Sequence, residues 1–198
     1  MMFNNGDIPA IGVMNTKDGF NIVNSTIISG KAAPVRVLYN NVQAATINIV
    51  NSILMSSYSG KQIEINNNNP ATYIGVRNSL IKGGYNKIEK LNSTSIDTGS
   101  LNTIYDIEPN FVNAINFNYS LSNNSPLIGL GSGATQILNN DTLFIPNKDL
   151  LAKNRPNPVG SNPDLGAYEN SGGFPCPLIT KVSGGNKKVV LSWTQNTY

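Results

Sequence analysis

Residues 47–57 read INIVNSILMSS, and this stretch decides the fold because the chain says it three times. Residues 20–30 read FNIVNSTIISG and residues 74–84 read IGVRNSLIKGG, so an Asn-Ser pair falls at Asn24-Ser25, Asn51-Ser52 and Asn78-Ser79, 27 residues apart each time. Written one above another, the copies form columns: Phe20, Ile47 and Ile74; Ile22, Ile49 and Val76; Asn24, Asn51 and Asn78; Thr26, Ile53 and Leu80. Along a copy these positions alternate, which is the period of a strand. Down a column the residue type is kept, as strands stacked in register require. A second strand is expected in the first two copies, VRVLYNN at 35–41 and QIEINNN at 62–68, with Leu38 and Ile65 aligned at the same interval of 27.

A period in the twenties, with short strands and corners of Asn, Ser and Gly, predicts a solenoid. The best fit is an all-β, right-handed parallel β-helix of about three 27-residue coils, each rising about 4.8 Å along the axis. Aligned aliphatic side chains would fill its interior. Asn tolerates the left-handed backbone that tight corners demand. The column Asn24, Asn51, Asn78 is therefore read as a structural ladder at a corner, its amides bonding up and down the stack. A binding site needs different residues at particular coils, whereas a ladder needs the same residue at each. MMFNNGD and GVMNTKDGF read as the remnant of an earlier coil, with no capping helix ahead of it. Solenoids need caps, so the chain is expected to be part of a longer β-helix.

Composition narrows the chemistry. Only 13% of the 198 residues are charged and about one in six is Asn, yet 39% are hydrophobic and rich in Ile and Val, unlike a disordered chain. The net charge of +3 is spread thinly, without a polybasic segment, which argues against nucleic acid or membrane as partner. A single cysteine, Cys176, allows no disulfide within the chain and makes a Cys-based metal site improbable. With no histidine, the commonest general base, the Ser-His-Asp triad and most zinc chemistry are gone. No apolar run is long enough for a membrane-spanning helix, and MMFNNGDIPA lacks the basic and apolar regions of a signal peptide.

After the coils (1–105) comes DIEPNFVNAINFNYSLSNNSPLIGLGSG at 106–133, and then NRPNPVGSNPDLGAYEN at 154–170. The order resembles the C-terminal end of secreted bacterial β-helix proteins of the choice-of-anchor Q kind, a pectate-lyase-like group. The resemblance rests on Glu108-Pro109-Asn110-Phe111-Val112, Tyr119-Ser120-Leu121, Ser125-Pro126-Leu127-Ile128-Gly129, Arg155-Pro156 and Asp164-Leu165-Gly166-Ala167-Tyr168-Glu169. It departs from the pattern at Gly129-Leu130-Gly131, where the group has Asp-Ala-Gly. Residues 106–170 are accordingly expected to close the β-helix, with Leu165, Ala167 and Tyr168 across its open end and Arg155, Asp164 and Glu169 in an ion-paired clasp. Calcium at these carboxylates is the lesser reading, since calcium wants more oxygen ligands close by. Residues 171–177 read as a linker, and 178–198 resembles the first two strands of a fibronectin type III domain, with a turn at Gly184-Gly185-Asn186 and a core Trp193. Such an incomplete β-sandwich implies further domains in the same polypeptide, and the resemblance implies an extracellular or cell-surface location.

No motif carries a reaction by itself, so no catalytic residue and no metal ligand are assigned. Of the acidic residues only Glu64 and Glu89 are read within the coils, and neither is expected to have a column partner. Arg77, Lys82, Lys87 and Lys90 cluster in the third coil and are the candidate carbohydrate-binding residues, against the blander reading of a solvated charged face. Tyr39, Tyr58, Tyr73 and Tyr85 are candidate sugar platforms, with packing the plainer role. The expected function is a noncatalytic stalk or carbohydrate-facing adhesion module of a larger protein, with polysaccharide as partner. The alternative is the C-terminal part of a polysaccharide lyase or glycoside hydrolase whose active coils lie upstream.

Overall fold

The repeated phrase folds as two strands meeting at a corner. A computed structural model describes residues 2–4, 8–13, 19–37, 46–57, 60–66, 72–90, 95–97, 104–137, 141–171, 179–185 and 188–193. Along the coils the strands are β1 (Met2–Asn4), β2 (Ile11–Val13), β3 (Phe20–Val23), β4 (Thr26–Ser29), β5 (Val35–Val37), β6 (Thr46–Val50) and β7 (Ile53–Ser56). They continue with β8 (Ile63–Ile65), β9 (Tyr73–Arg77), β10 (Ser79–Ile81), β11 (Ile88–Lys90), β12 (Ser95–Asp97) and β13 (Ile104–Tyr105). These form three parallel sheets: A (β1-β4-β7-β10-β13), B (β2-β5-β8-β11) and C (β3-β6-β9-β12). Each coil visits B, C and A in turn, and no described segment is an α-helix. This is a parallel β-helix. The earlier coil expected in the first residues is present, since Met2 pairs with Ile27 and Ile11 with Val35.

The columns of the phrase are the register of the sheets. Phe20, Ile47 and Ile74 are paired in sheet C, as are Ile22, Ile49 and Val76, and Thr26, Ile53 and Leu80 are paired in sheet A. What differs from the sequence reading is the side on which a column lies. Ile22, Ile47, Ile49, Ile74 and Val76 fill the interior together with Ile27, Leu54 and Ile81 of sheet A and Val35, Val37, Ile63 and Ile65 of sheet B. Thr26, Ile53 and Leu80 do not join it; Ile53 and Leu80 belong to a separate core with Leu121, Leu127, Ile128 and Leu165. The cause is the corner. Asn24, Asn51 and Asn78 have φ of 43°, 50° and 43°, and one left-handed residue puts the alternation out of phase. Inward positions are thus 47 and 49 before the corner and 54 after it.

Corner lengths also vary, which moves the expected second strand. Ser29 pairs with Ser56 and Val35 with Ile63, so six steps at one corner face seven at the next. Sheet B is therefore offset by 28 there, and Ile65 pairs with Val37 rather than Leu38, which lies outside the described residues. The next offset in sheet B is 25, which brings Glu89 opposite Glu64. Contrary to the sequence reading, which gave neither carboxylate a column partner, Glu64 and Glu89 are column neighbours.

Residues 127–132 and 163–167 pack against the coils. β14 (Phe111–Asn113) and β15 (Asn118–Leu121) form an antiparallel hairpin around a 3-10 turn at Ala114–Asn116, and β16 (Ala134–Gln136) pairs with β17 (Thr142–Phe144). Contrary to the sequence reading, Leu165 and Ala167 do not lie across an open end. Gly166 N–H donates to Asn51 O at 2.8 Å and Ala167 N–H to Thr26 Oγ1 at 3.0 Å, so this stretch runs along the flank of sheet A. The apolar column Ile53–Leu80 faces outward and needs that cover. Near the C-terminus, β18 (Ile179–Gly185) and β19 (Lys188–Trp193) form an antiparallel hairpin. Gly184 and Gly185, expected in the turn, are in β18 with Gly185 opposite Lys188, while Leu178 and Asn186 lie outside the described residues.

Candidate functional site

Each sheet B strand is three residues long, and in β5 and β8 the middle side chain points away from the core. In β5 and β8 the flanking residues, Val35 and Val37, Ile63 and Ile65, are fully buried, so Arg36 and Glu64 face out. Register then places Arg36, Glu64 and Glu89 in one outward column. Arg36 Nε lies 2.7 Å from Glu64 Oε2, and Asn66 Nδ2 donates to Glu64 Oε1 at 3.2 Å. Lys61 pairs with Glu89. Burial works against ionising Glu64, but the hydrogen bonds from Arg36 and Asn66 and the charges of Arg36 and Lys61 outweigh it and hold its carboxyl below the usual range.

Beside this column opens a cleft of about 280 Å³, lined by Lys31, Ala32, Ala33, Arg36, Gly60, Lys61 and Glu64. Lys87 reaches its rim, since a Cβ placed on Gly60 would lie 3.5 Å from Lys87 Nζ. Lys31, Arg36, Lys61 and Lys87 set four cations against the two carboxylates Glu64 and Glu89, and Lys31 and Lys87 have no ionic partner among the described residues. The cleft is therefore a net-positive strip floored by a fixed row of hydrogen-bonding groups, suited to a ligand that is both anionic and rich in hydroxyls.

Arg77, Lys82 and Lys87 of the third coil are not brought together. Arg77 lies on sheet C, where its Nη2 is 2.6 Å from Asp97 Oδ2 and its Nη1 2.6 Å from Asp97 O. Tyr73 donates its hydroxyl to the same carboxylate at 2.7 Å, and burial, then Asp97 itself, raises the Tyr73 hydroxyl above its usual range. Lys82 follows sheet A and pairs with Glu108 at 2.8 Å. Of these three, Lys87 borders the sheet B cleft; Lys90 is in β11, and its side chain lies outside the described residues. Tyr85 is exposed in a 3-10 turn, and Tyr39 and Tyr58 fall outside the described residues. Sequence reasoning missed Lys31, Arg36 and Lys61. The signal for Arg36 was a charge between two aliphatic residues in both VRV and IEI, hidden by the offset of 28.

The repeated Asn-Ser pair divides its work. The coil-to-coil ladder runs chiefly through serine: Ser25 N–H donates to Ser52 Oγ and Ser52 N–H to Ser79 Oγ, both at 3.1 Å. Asn51 Nδ2 does reach Asn24 Oδ1, at 3.4 Å, but the shorter bonds of the column lead outward. Asn51 donates to Ser132 O at 2.8 Å and accepts from Ser132 N–H at 3.0 Å. Asn24 donates to Asp164 O at 3.2 Å and Asn78 to Leu130 O at 3.3 Å. The Asn column is the strip on which the closing region docks.

The clasp expected from Arg155, Asp164 and Glu169 is buried. Arg155 Nε lies 3.0 Å from Glu169 Oε2, with Arg155 Nη1 donating to Gly166 O at 3.1 Å. Asp164 accepts from Gly129 N–H at 2.8 Å and Asn170 N–H at 2.7 Å; Glu169 accepts from Asn157 N–H at 3.0 Å and Asp164 N–H at 3.3 Å. Burial pushes Asp164 up to about 6, and burial together with the Asp164 charge pushes Glu169 up to about 7. With N–H donors already on both carboxylates, the motif ties backbone together and offers calcium no cluster of open oxygens. Tyr168 is half-buried beside it.

Fold and surface chemistry together define a parallel β-helix with a laterally docked closing region and a charged cleft on one sheet. Compared with protein-family models, curated proteins and solved structures, the chain finds no match.

Proposed function

We propose that this chain is a noncatalytic, carbohydrate-facing module of a secreted or cell-surface β-helix protein, and that its sheet B cleft receives an acidic polysaccharide. The reading as a member of the choice-of-anchor Q, pectate-lyase-like group belongs to this proposal and rests on the motifs between Glu108 and Glu169. The observation that carries the function is the column Arg36–Glu64–Glu89 beside Lys31, Lys61 and Lys87. A flat sheet presents these groups at the inter-strand spacing, about 4.8 Å, so an extended chain lying along the coils meets successive charges. Binding rather than turnover is the favoured chemistry, since Glu64 and Glu89 are each held by a cation.

The test is incubation with polygalacturonate, alginate and a neutral glucan, followed by size exclusion. Co-elution with the acidic polymers at unchanged polymer length, reduced several-fold by Lys31→Met or Arg36→Met, is the expected result. Shortened polymer chains would instead support the alternative, a polysaccharide lyase or hydrolase. Neither cleavage nor co-elution would leave a structural stalk.

A further inference from the structure

A second pocket lies between the hairpin β14–β15 and the closing region. Its volume is about 300 Å³, and Ser120, Asn123, Lys153, Tyr168, Glu169 and Asn170 contribute to its wall. That size sits at the lower end of small-molecule sites, about 300–1,000 Å³, and suits one ring rather than a chain passing through.

The charge balance here is unusual. Asp149 Oδ1 accepts the N–H groups of Leu151 and Lys153, each at 2.8 Å, and its Oδ2 accepts Glu169 N–H at 2.9 Å. Glu169 is engaged by Arg155, Asn157 N–H and Asp164 N–H, and Asp164 by two further N–H groups. All three carboxylates of this region are thus occupied by backbone donors or by Arg155. The backbone of Lys153 is pinned through Asp149 to the pocket wall, yet its ammonium has no carboxylate partner among the described residues. Asn123 Oδ1 accepts from Asn170 Nδ2 at 3.1 Å, which leaves Asn123 Nδ2 as a second donor. The Ser120 hydroxyl donates to Asn118 and keeps acceptor capacity, and Tyr168 adds a half-buried ring. One cation, one amide donor, one hydroxyl acceptor and an aromatic face are what an acidic sugar asks of a site.

We infer that this pocket binds a single carboxylate-bearing sugar, a hexuronic acid residue entering as the end of a chain, with its carboxylate on Lys153 and its ring face against Tyr168. The inference extends the polysaccharide reading to a second site and does not depend on the sheet B cleft.

The experiment is an NMR titration of the whole chain with monomeric galacturonate and glucuronate, with glucose as the neutral control. Saturable hexuronate binding that perturbs the Asn123 side-chain amide, weakened about tenfold or more by Lys153→Met and partly restored in Lys153→Arg, is expected. Lys153 is exposed, so its replacement leaves the fold intact. Absence of saturable hexuronate binding, equal binding of glucose, or equal affinity in Lys153→Met overturns the inference. Loss in Lys31→Met alone would place the sugar in the sheet B cleft, overturning this site while leaving the proposed function standing.

Discussion

Asn51→Ala is the most informative perturbation of the docking strip. Asn51 is fully buried at φ 50°, and its side chain makes two bonds with Ser132, at 2.8 and 3.0 Å, plus a longer one to Asn24. Each good bond contributes about 1 kcal/mol net, and the left-handed backbone costs an alanine about 1 kcal/mol more. The expected loss is about 3 kcal/mol. Asn51→Gly keeps the backbone conformation and loses only the bonds, so it should cost about 2 kcal/mol. Asn24→Ala and Asn78→Ala, each losing one bond to the closing region, should cost less than Asn51→Ala. Urea denaturation followed by circular dichroism gives the four numbers. A loss below about 1 kcal/mol for Asn51→Ala, or equal losses in all three alanine variants, would refute the assignment of the column as a docking strip and return it to a uniform ladder.

Other expectations follow from the same contacts. Gly166 has φ +88°, and a Cβ there would come 2.5 Å from Thr26 Oγ1 and 2.8 Å from Ile53 Cδ1, so Gly166→Ala should cost about 3 kcal/mol and make residues 155–170 a preferred site of limited proteolysis. Ile53→Ala removes a fully buried side chain from the outer core and should cost about 2–5 kcal/mol, with the same proteolytic signature; an unchanged cleavage pattern would argue against that core. Asp164 and Glu169 have native values near 6 and 7 against ordinary values of 3.8 and 4.5, so the native chain binds their protons more tightly than the unfolded chain does. Their stabilising contribution is complete below about pH 4 and is lost as pH rises through about 6–7. The unfolding free energy should therefore be at least about 1 kcal/mol lower at pH 8 than at pH 5, and Glu169→Gln should flatten that slope.

The coils were legible because the residue types that stack are the ones that repeat. Ile47 with Ile74 and Ile49 with Val76 are true neighbours at the interval read from the sequence. The interval misleads wherever a corner changes length, as with Glu64 and Glu89, because register is set by backbone pairing and tolerates extra residues at a corner. It also misleads about facing. The residue type of Asn51 predicts the left-handed corner but not its effect on phase: that one torsion sends Ile53 outward and Leu54 inward. The docking of Leu127, Ile128 and Leu165 on the flank of sheet A was missed because they carry no periodicity to say which surface they cover. The sheet B cleft was missed for a different reason, since Lys31, Arg36 and Lys61 come from two coils and meet only through the variable corner.

A stack of like coils ordinarily unravels from its ends, since each coil is held only by the one above and the one below. Here Asp164, Ser132 and Leu130 are bonded to Asn24, Asn51 and Asn78 in three successive coils, from positions up to 140 residues away in the chain. A pull on either terminus would have to lift this strap before any of those coils could peel. The three coils should thus rupture in one event under force, with any coil outside the strap yielding separately and at lower load.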